Sequence, residues 1–204
     1  NVTLIFGLDR YQQVMDAYIR GLQKLAQTDP AKVQDVASVA SFFISRVDSE
    51  IDKRLDGLGS DDALRLRGKA AIAQAKVAYQ MFEKTFSSED WRSLIKLGAQ
   101  VQRPLWASTS TKNPAYPDTM YVDELIGAHS VNTLPDATMD AFSDHGSIAE
   151  TITNNVEAAR AVLHALECVG IDMTAIADQL EAEGVVSFQQ SFNDLLAVLE
   201  AKSK

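Results

Sequence analysis

Short apolar runs recur through the first two-thirds of the chain, and each is followed by a segment with helical spacing. Val2–Phe6 and Val36–Phe43 are β-branched or small apolar runs of strand length, typical of strands covered on both faces. Arg103–Ser108 and Ser130–Leu134 are two further strand candidates. From Pro135 onward the apolar spacing predicts helices only.

The segments between and after these runs predict helices. Asp9 can cap a first amphipathic helix, and the glycines after Leu55 close a second. A long helix is predicted over residues 60–86, and a shorter one ends near Gly98. The last predicted helices are Pro135–Phe142, Ser147–Val169, Thr174–Glu183 and Val185–Leu199. Strands that are each followed by a helix imply βα units, an α/β class and a parallel sheet.

The number of strands predicts about half of a closed barrel. A complete (β/α)₈ barrel typically needs about 250 residues, and this chain has 204, the last part of them helical. We therefore expect one domain with four βα units in residues 1–134, a helical insertion near 60–98, and closing helices in 135–204. The chain also opens inside a strand-like run without an initiator methionine, as expected of a piece cut from something longer.

The net charge, the length of the apolar runs and the cysteine count limit the classes of partner and compartment. A net charge of −9 argues against a nucleic-acid surface, which needs clustered Lys and Arg. No uninterrupted apolar run of about 18 residues is present, so we expect no membrane span. Cys168 is the only cysteine, so no intrachain disulfide can form, which suits a reducing cytoplasm.

Ser41 and Arg46 form the first candidate site, at the end of the second predicted strand. An arginine offers a planar, permanently charged fork for phosphate oxygens, and a nearby hydroxyl adds a neutral donor. The alternative is that Arg46 pairs with Asp48 or Glu50 at the surface, which would contribute little.

Asn1 and Thr3 form the second candidate. Residues two apart share one face of a strand, which predicts Asn1, Thr3 and Ile5 on one face and Val2, Leu4 and Phe6 on the other. Two polar side chains on an otherwise apolar strand indicate a polar barrel lumen. Solvation of the first residue and ordinary β-propensity of threonine explain the same pattern.

A third candidate is the turn from Ser108 to Lys112, where four consecutive hydroxyl residues precede a lysine. A phosphate could occupy such a donor-rich turn, although these hydroxyls often bond their own backbone. Lys96 has helical spacing from Trp91 and is predicted to lie on a helix surface. The three histidines show no metal-ligand spacing.

Several of these segments resemble the transaldolase family, in its actinobacterial and cyanobacterial type. The resemblance is carried by NVTLIF at the start, by Val36–Asp56, by Gln102–Asp118 with the following MYVDELIG, and by the helical tail Val156–Leu199. It implies a TIM-type barrel, with this chain covering about strands five to eight and the closing helices. It also implies an enzyme of the pentose phosphate pathway that moves a dihydroxyacetone unit from sedoheptulose 7-phosphate to glyceraldehyde 3-phosphate through a lysine Schiff base. No metal or organic cofactor is implied.

The resemblance also implies roles for the candidate residues. Thr3 would position the catalytic water and Asn1 would hydrogen-bond the substrate. Ser41 and Arg46 would bind sugar and phosphate, together with Ser108 and Lys112. Other family members place an arginine around the position of Lys112, and a lysine there keeps the charge but loses the bidentate geometry.

The Schiff-base lysine of the family lies on the strand that would precede Asn1, so it is not in this chain. We therefore expect the chain to be inactive alone and to need the N-terminal half of the barrel or self-association, because a half barrel leaves open sheet edges. One alternative is a non-catalytic sugar-phosphate-binding or assembly module that dimerises half barrels. Another is a relative of the aldolases that uses a different lysine.

Overall fold

The computed structural model describes residues 1–202, and its centre is a sheet of four parallel strands. The strands lie side by side in chain order: β1 (Val2–Ile5), β2 (Ser38–Phe43), β3 (Gln102–Ala107) and β4 (Val131–Asn132). The predicted α/β class and parallel sheet are confirmed. The fourth strand is shorter than predicted and has only two residues in the sheet.

Helices surround this sheet and connect its strands. They are α1 (Leu8–Thr28), α2 (Ser45–Leu58), α3 (Asp61–Leu64), α4 (Ala70–Thr85), α5 (Glu89–Ile95), α6 (Met120–Asp123), α7 (Asp136–His145), α8 (Val156–Cys168) and α9 (Met173–Lys202), with a 3₁₀ helix over Pro30–Asp35. Ser60 and Ser88 cap α3 and α5 by accepting hydrogen bonds from main-chain N–H groups three residues later. None of the helices in this described part of the chain is long and apolar enough to cross a membrane.

The core lies between the sheet and the helices that follow β1 and β2. Tyr11 of α1 packs edge-on against Phe42 of β2, with ring centroids 5.6 Å apart. Phe42 in turn meets Trp106 of β3 at 6.1 Å. This aromatic row crosses the helix-facing side of β2 and β3, so the other side of each strand is left for Ser41 and its neighbours.

Two predicted helix boundaries are wrong, and a glycine explains each. The helix predicted over residues 60–86 is broken at Gly68, whose φ of 69° is left-handed and whose N–H donates to Asp52. Conversely, α9 runs through Gly184 without a break. An added Cβ at Gly184 would lie 2.8 Å from the side chain of Leu4, so this glycine permits the close approach of β1 to α9.

Two further expectations are corrected by residues with left-handed backbone. The helix predicted over residues 147–169 begins only at Val156, after Asn155 with a φ of 57°. In β1 the strict alternation fails at Leu4, whose φ is 61° and where the register with β2 shifts. Asn1 and Phe6, predicted on opposite faces, therefore both contact β2 residues of a single face, as described below.

Candidate functional site

Asn1 and Ser41 meet on the face of the sheet opposite the aromatic row. The Ser41 hydroxyl is buried and donates a hydrogen bond of 2.8 Å to the side-chain oxygen of Asn1. Two residues further along β2, Phe43 packs against Phe6 with ring centroids 4.8 Å apart. The face of β2 that carries Ser41 thus combines an amide and a hydroxyl with an aromatic wall.

Thr3 is exposed, and its hydroxyl makes no hydrogen bond within residues 1–202. It precedes Leu4, where the backbone turns left-handed and ends the regular alternation of β1. The structure therefore does not link Thr3 to the Asn1–Ser41 pair by a hydrogen bond.

The ends of β2 and β3 are joined by a pair of hydroxyls. Ser45, the first residue of α2, and Ser108, directly after β3, have their Oγ atoms 2.9 Å apart, and the Ser45 N–H donates to the Ser108 carbonyl at 2.9 Å. Ser108 has a φ of 58°, a strained conformation for serine that is typical of functional sites. Ser45 was not predicted as a site residue, although its position between a strand and a helix is where such residues occur.

Arg46 follows Ser45, and its guanidinium lies beside an aromatic ring. Its Cζ lies 5.1 Å from the centroid of the Phe43 ring, within the range of a cation–π contact. The side chain is exposed and forms no ion pair or hydrogen bond with the residues that the structure describes.

The alternative that Arg46 pairs with Asp48 or Glu50 is wrong. Glu50 accepts instead from Arg54 at 3.0 Å, and Asp48 is turned into the interior.

Lys112 lies in the loop that follows β3 and is exposed. Its ammonium donates to the Ser110 hydroxyl at 2.7 Å, so the lysine and one of the four hydroxyls form a small donor group. Thr111 instead donates to main-chain carbonyls of residues 117 and 118, and Thr109 to Asn132 and the Thr133 carbonyl. The alternative of local backbone satisfaction therefore holds for Thr111, whereas Thr109 bonds residues at the end of β4 and Ser110 accepts from Lys112.

Two carboxylates of α2 that the sequence did not single out lie beneath this loop. Asp48 accepts hydrogen bonds from the Tyr121 hydroxyl at 2.7 Å and the Ala71 N–H at 2.8 Å. Asp52, one helical turn later, accepts from the Tyr116 hydroxyl at 2.6 Å. Their spacing of four residues on the helix after β2 was the available signal, but their partners lie far away in sequence.

The electrostatics of this carboxylate pair follow from burial. The pKa of Asp48 is raised to about 6, and desolvation is the main cause. The charge of Asp52 also raises this pKa, whereas the hydrogen bonds from Ala71 and Tyr121 lower it. Burial also raises the pKa of Tyr116 to about 12, with the hydrogen bond to Asp52 acting in the same direction. The Tyr121 pKa is raised for the same reasons, with burial first, so both tyrosines stay protonated donors at neutral pH.

The Asn1–Ser41 pair and the Ser45–Ser108 pair lie at different positions along the strand direction. Ser41 is in register with Leu105, and Ser108 comes three residues later, about 10 Å further along the strand direction. Neutral donors and acceptors thus lie within the sheet, while Arg46, Ser108 and Lys112 belong to its carboxyl edge, where α/β proteins bind ligands. Such an arrangement suits an elongated polar ligand whose anionic end lies at the edge.

Other candidate chemistry is limited in the described residues. Lys96 is exposed at the end of α5, as predicted. No group of three or more His, Cys, Asp or Glu side chains within residues 1–202 could hold a metal ion.

Comparisons with known proteins agree on one family. A family model described as "Transaldolase/Fructose-6-phosphate aldolase" matches residues 1–199. A protein named "Transaldolase" from Parafrankia sp. (strain EAN1pec) is 56% identical over 197 residues, which are 96% of this chain and 53% of that protein. "Transaldolase 2" of Streptomyces avermitilis is 52% identical over 203 residues, 99% of this chain and 54% of its own length. The chain therefore spans about half the length of the curated relatives it matches.

Proposed function

Because the chain belongs to the transaldolase/fructose-6-phosphate aldolase family, we propose that it is the sugar-phosphate-binding half of a transaldolase. The complete enzyme would transfer a dihydroxyacetone unit from sedoheptulose 7-phosphate to glyceraldehyde 3-phosphate through a lysine Schiff base. The complete enzyme would supply the lysine, position the substrate and move protons. The reaction would take place in the cytoplasm and need no cofactor.

One observation carries the proposal: Arg46 presents an exposed guanidinium beside the carboxyl edge of the sheet and pairs with no acid among the described residues. A structural arginine at this position would be expected to pair with Asp48 or Glu50. Its planar fork is suited to a phosphate. Ser108 and Lys112 would contribute further donors at this edge, and Asn1 and Ser41 would bind the sugar hydroxyls within the sheet. Thr3 would position the catalytic water.

We further propose that the chain is half of a TIM-type barrel, about strands five to eight. The sheet is open, with β1 and β4 as its edges. After Gly184, α9 exposes a series of large apolar side chains: Val185, Val186, Phe188, Phe192, Leu195, Leu196, Val198 and Leu199. Exposed apolar surface and an open edge both favour association. The partner would be the N-terminal half of the barrel or a second copy of this chain.

Arg46→Ala is expected to weaken the binding of fructose 6-phosphate to this chain by about tenfold to a hundredfold, the effect of removing one or two charge-assisted hydrogen bonds. Isothermal titration calorimetry at low salt would measure it. Arg92→Ala, which removes another exposed arginine without an ion pair in the described residues, is the matched control and should leave the affinity unchanged. Equal affinities for wild type and Arg46→Ala would contradict the proposed phosphate site.

The chain alone is expected to form no Schiff base, because the catalytic lysine would lie on a strand outside it. Incubation with fructose 6-phosphate and borohydride, followed by mass spectrometry, should therefore detect no covalent adduct. The Streptomyces avermitilis relative treated in parallel is the positive control. A stoichiometric adduct at any lysine of this chain would refute the proposed inactivity and support an aldolase relative. Lys76, the buried lysine in the described residues, is paired with Glu124 at 2.8 Å.

The second candidate function is a non-catalytic sugar-phosphate-binding or assembly module that pairs two half barrels. The apolar part of α9 beyond Gly184 and the open edge of β1 favour it as well. A stable homodimer that binds fructose 6-phosphate, and gains no activity when an N-terminal half is supplied, would favour the module over the enzyme.

A further inference from the structure

Helix α2 carries two carboxylates that bind the rest of the protein in the same way. Asp48 accepts one hydrogen bond from the main-chain N–H of Ala71 and one from the hydroxyl of Tyr121. Asp52 repeats the arrangement one turn later, with the N–H of Gly68 at 2.9 Å and the hydroxyl of Tyr116 at 2.6 Å. Each carboxylate therefore connects α2 to the chain at or just before the start of α4 and to the segment after β3.

The Asp52–Tyr116 contact is built into the backbone as well as into the side chains. Gly68 has a φ of 69°, and a Cβ placed there would lie 2.8 Å from the Cζ atom of Tyr116. The glycine thus leaves room for the tyrosine ring while its own N–H binds the other oxygen of Asp52. A tyrosine seated against a glycine and bonded to a carboxylate has a narrowly defined position.

Tyr116 lies four residues after Lys112, in a loop that is also held by Thr109, which donates to Asn132 at 2.7 Å, and by Asp118, which pairs with His145 at 2.9 Å. The Tyr116 N–H donates to the Asn113 carbonyl, and the Asn113 side chain accepts from the Ala115 N–H, so residues 113–116 form a compact turn. A cavity of about 360 Å³ between this turn and α2 is lined by both Lys112 and Asp52. The Tyr116 hydroxyl therefore fastens this turn to α2 on the C-terminal side of Lys112, as Ser108 does through Ser45 on the N-terminal side.

We propose that Asp52 and Tyr116 form a positioning pair that holds the Lys112 loop in a fixed relation to the helix that begins with Ser45 and Arg46. The pair itself touches no ligand. It fixes the geometry between two cations that come from different segments, so that a phosphate meets both without first ordering the loop. This inference rests on the proposed phosphate site and adds to it the residues that make the site preformed.

Tyr116→Phe tests the pair, because phenylalanine keeps the ring against Gly68 and removes only the hydroxyl. We expect binding of inorganic phosphate and of fructose 6-phosphate to weaken by about three- to tenfold, the effect of one hydrogen bond. Asp52→Ala removes this contact and also the acceptor of the Gly68 N–H, so it should weaken binding at least as much, and adding Tyr116→Phe to it should have no further effect. Nuclear magnetic resonance titration at a temperature where every variant is folded gives the affinities and the amide shifts of residues 108–116.

Tyr18→Phe is the matched control. It removes a tyrosine hydroxyl that donates at 2.8 Å to the Gln100 carbonyl, before the start of β3 and thus at the opposite end of the sheet. If Tyr116 were merely structural, both variants would be less stable and both would bind phosphate with the wild-type affinity. That result would overturn the positioning pair but leave the proposed Arg46 site intact. A wild-type chain that binds no phosphate would overturn both the site and the pair.

Discussion

Asp48→Ala is expected to lower the free energy of unfolding by roughly 2–6 kcal/mol, because two buried donors would each lose their acceptor at about 1–3 kcal/mol. These donors are the Ala71 N–H and the Tyr121 hydroxyl, and no water reaches the site readily since Asp48 is 2% exposed. Asp48→Asn should cost far less. The amide oxygen can accept from Ala71, and the amide nitrogen can donate to the Tyr121 oxygen.

The difference in the free energy of unfolding between wild type and Asp48→Asn should depend on pH, and burial of Asp48 determines the direction of the change. The folded-state pKa of Asp48 is raised from 3.8 to about 6, so the folded chain holds this proton more tightly than the unfolded chain does. The resulting stabilisation is complete below about pH 4 and is lost as pH rises through about 6, a difference of about 3 kcal/mol. Asparagine is neutral throughout, so the stability of Asp48→Asn relative to wild type should rise over that interval.

Urea unfolding at a series of pH values from 4 to 8 would measure this difference. Asp56→Asn, on the exposed side of the same helix, is the control and should track the wild-type curve closely. Parallel curves for wild type and Asp48→Asn would show that Asp48 titrates normally in the folded state. Equal stabilities of Asp48→Ala and Asp48→Asn would show that the two hydrogen bonds contribute nothing measurable.

The sequence predicted the parallel sheet well because its strands are marked locally. The apolar runs of β1, β2 and β3 are short, β-branched or aromatic, and bounded by polar or glycine-containing segments, so their bounds shift by only one or two residues. The sequence singled out Arg46 because it follows a strand end, and the structure shows it exposed there, while ligand binding by Ser41 and Arg46 stays a prediction. Local pattern also placed Lys96 on the surface.

The features that the sequence did not predict depend on contacts between distant parts of the chain. Asp48 was considered only as a partner for Arg46, whereas its partner Tyr121 is 73 residues away and that of Asp52 is 64 residues away. Gly68 and Gly184 look alike in sequence, yet Gly68 lies in the turn between two helices and Gly184 lies inside one. What separates them is the neighbour: a carboxylate that accepts the Gly68 N–H, and a leucine that needs the space at Gly184. Tertiary context overrides local propensity at both positions.

Gly68→Ala is expected to lower the free energy of unfolding by roughly 2.5–5 kcal/mol through two separable effects. The left-handed backbone, with a φ of 69°, costs an alanine about 1–2 kcal/mol. The new Cβ would also lie 2.8 Å from Tyr116, and the partly exposed ring can relieve this only by moving away from Asp52. That movement gives up a hydrogen bond to a charged acceptor, which contributes about 1.5–3 kcal/mol.

Gly59→Ala separates these effects, because Gly59 has nearly the same φ of 65° but an added Cβ there would meet only the Asp56 carbonyl at 3.8 Å. Gly59→Ala should therefore show the backbone cost alone and leave phosphate affinity unchanged, whereas Gly68→Ala should be less stable and bind phosphate more weakly. In a Tyr116→Ala background the cost of Gly68→Ala should fall to that of Gly59→Ala, since the ring and its hydrogen bond are already gone. Denaturant unfolding and phosphate titration of wild type and these four variants would measure the effects. An equal loss of stability in Gly59→Ala and Gly68→Ala would mean that Tyr116 is not held against Gly68. The turn that carries Lys112 would then not be fixed to α2 through Tyr116.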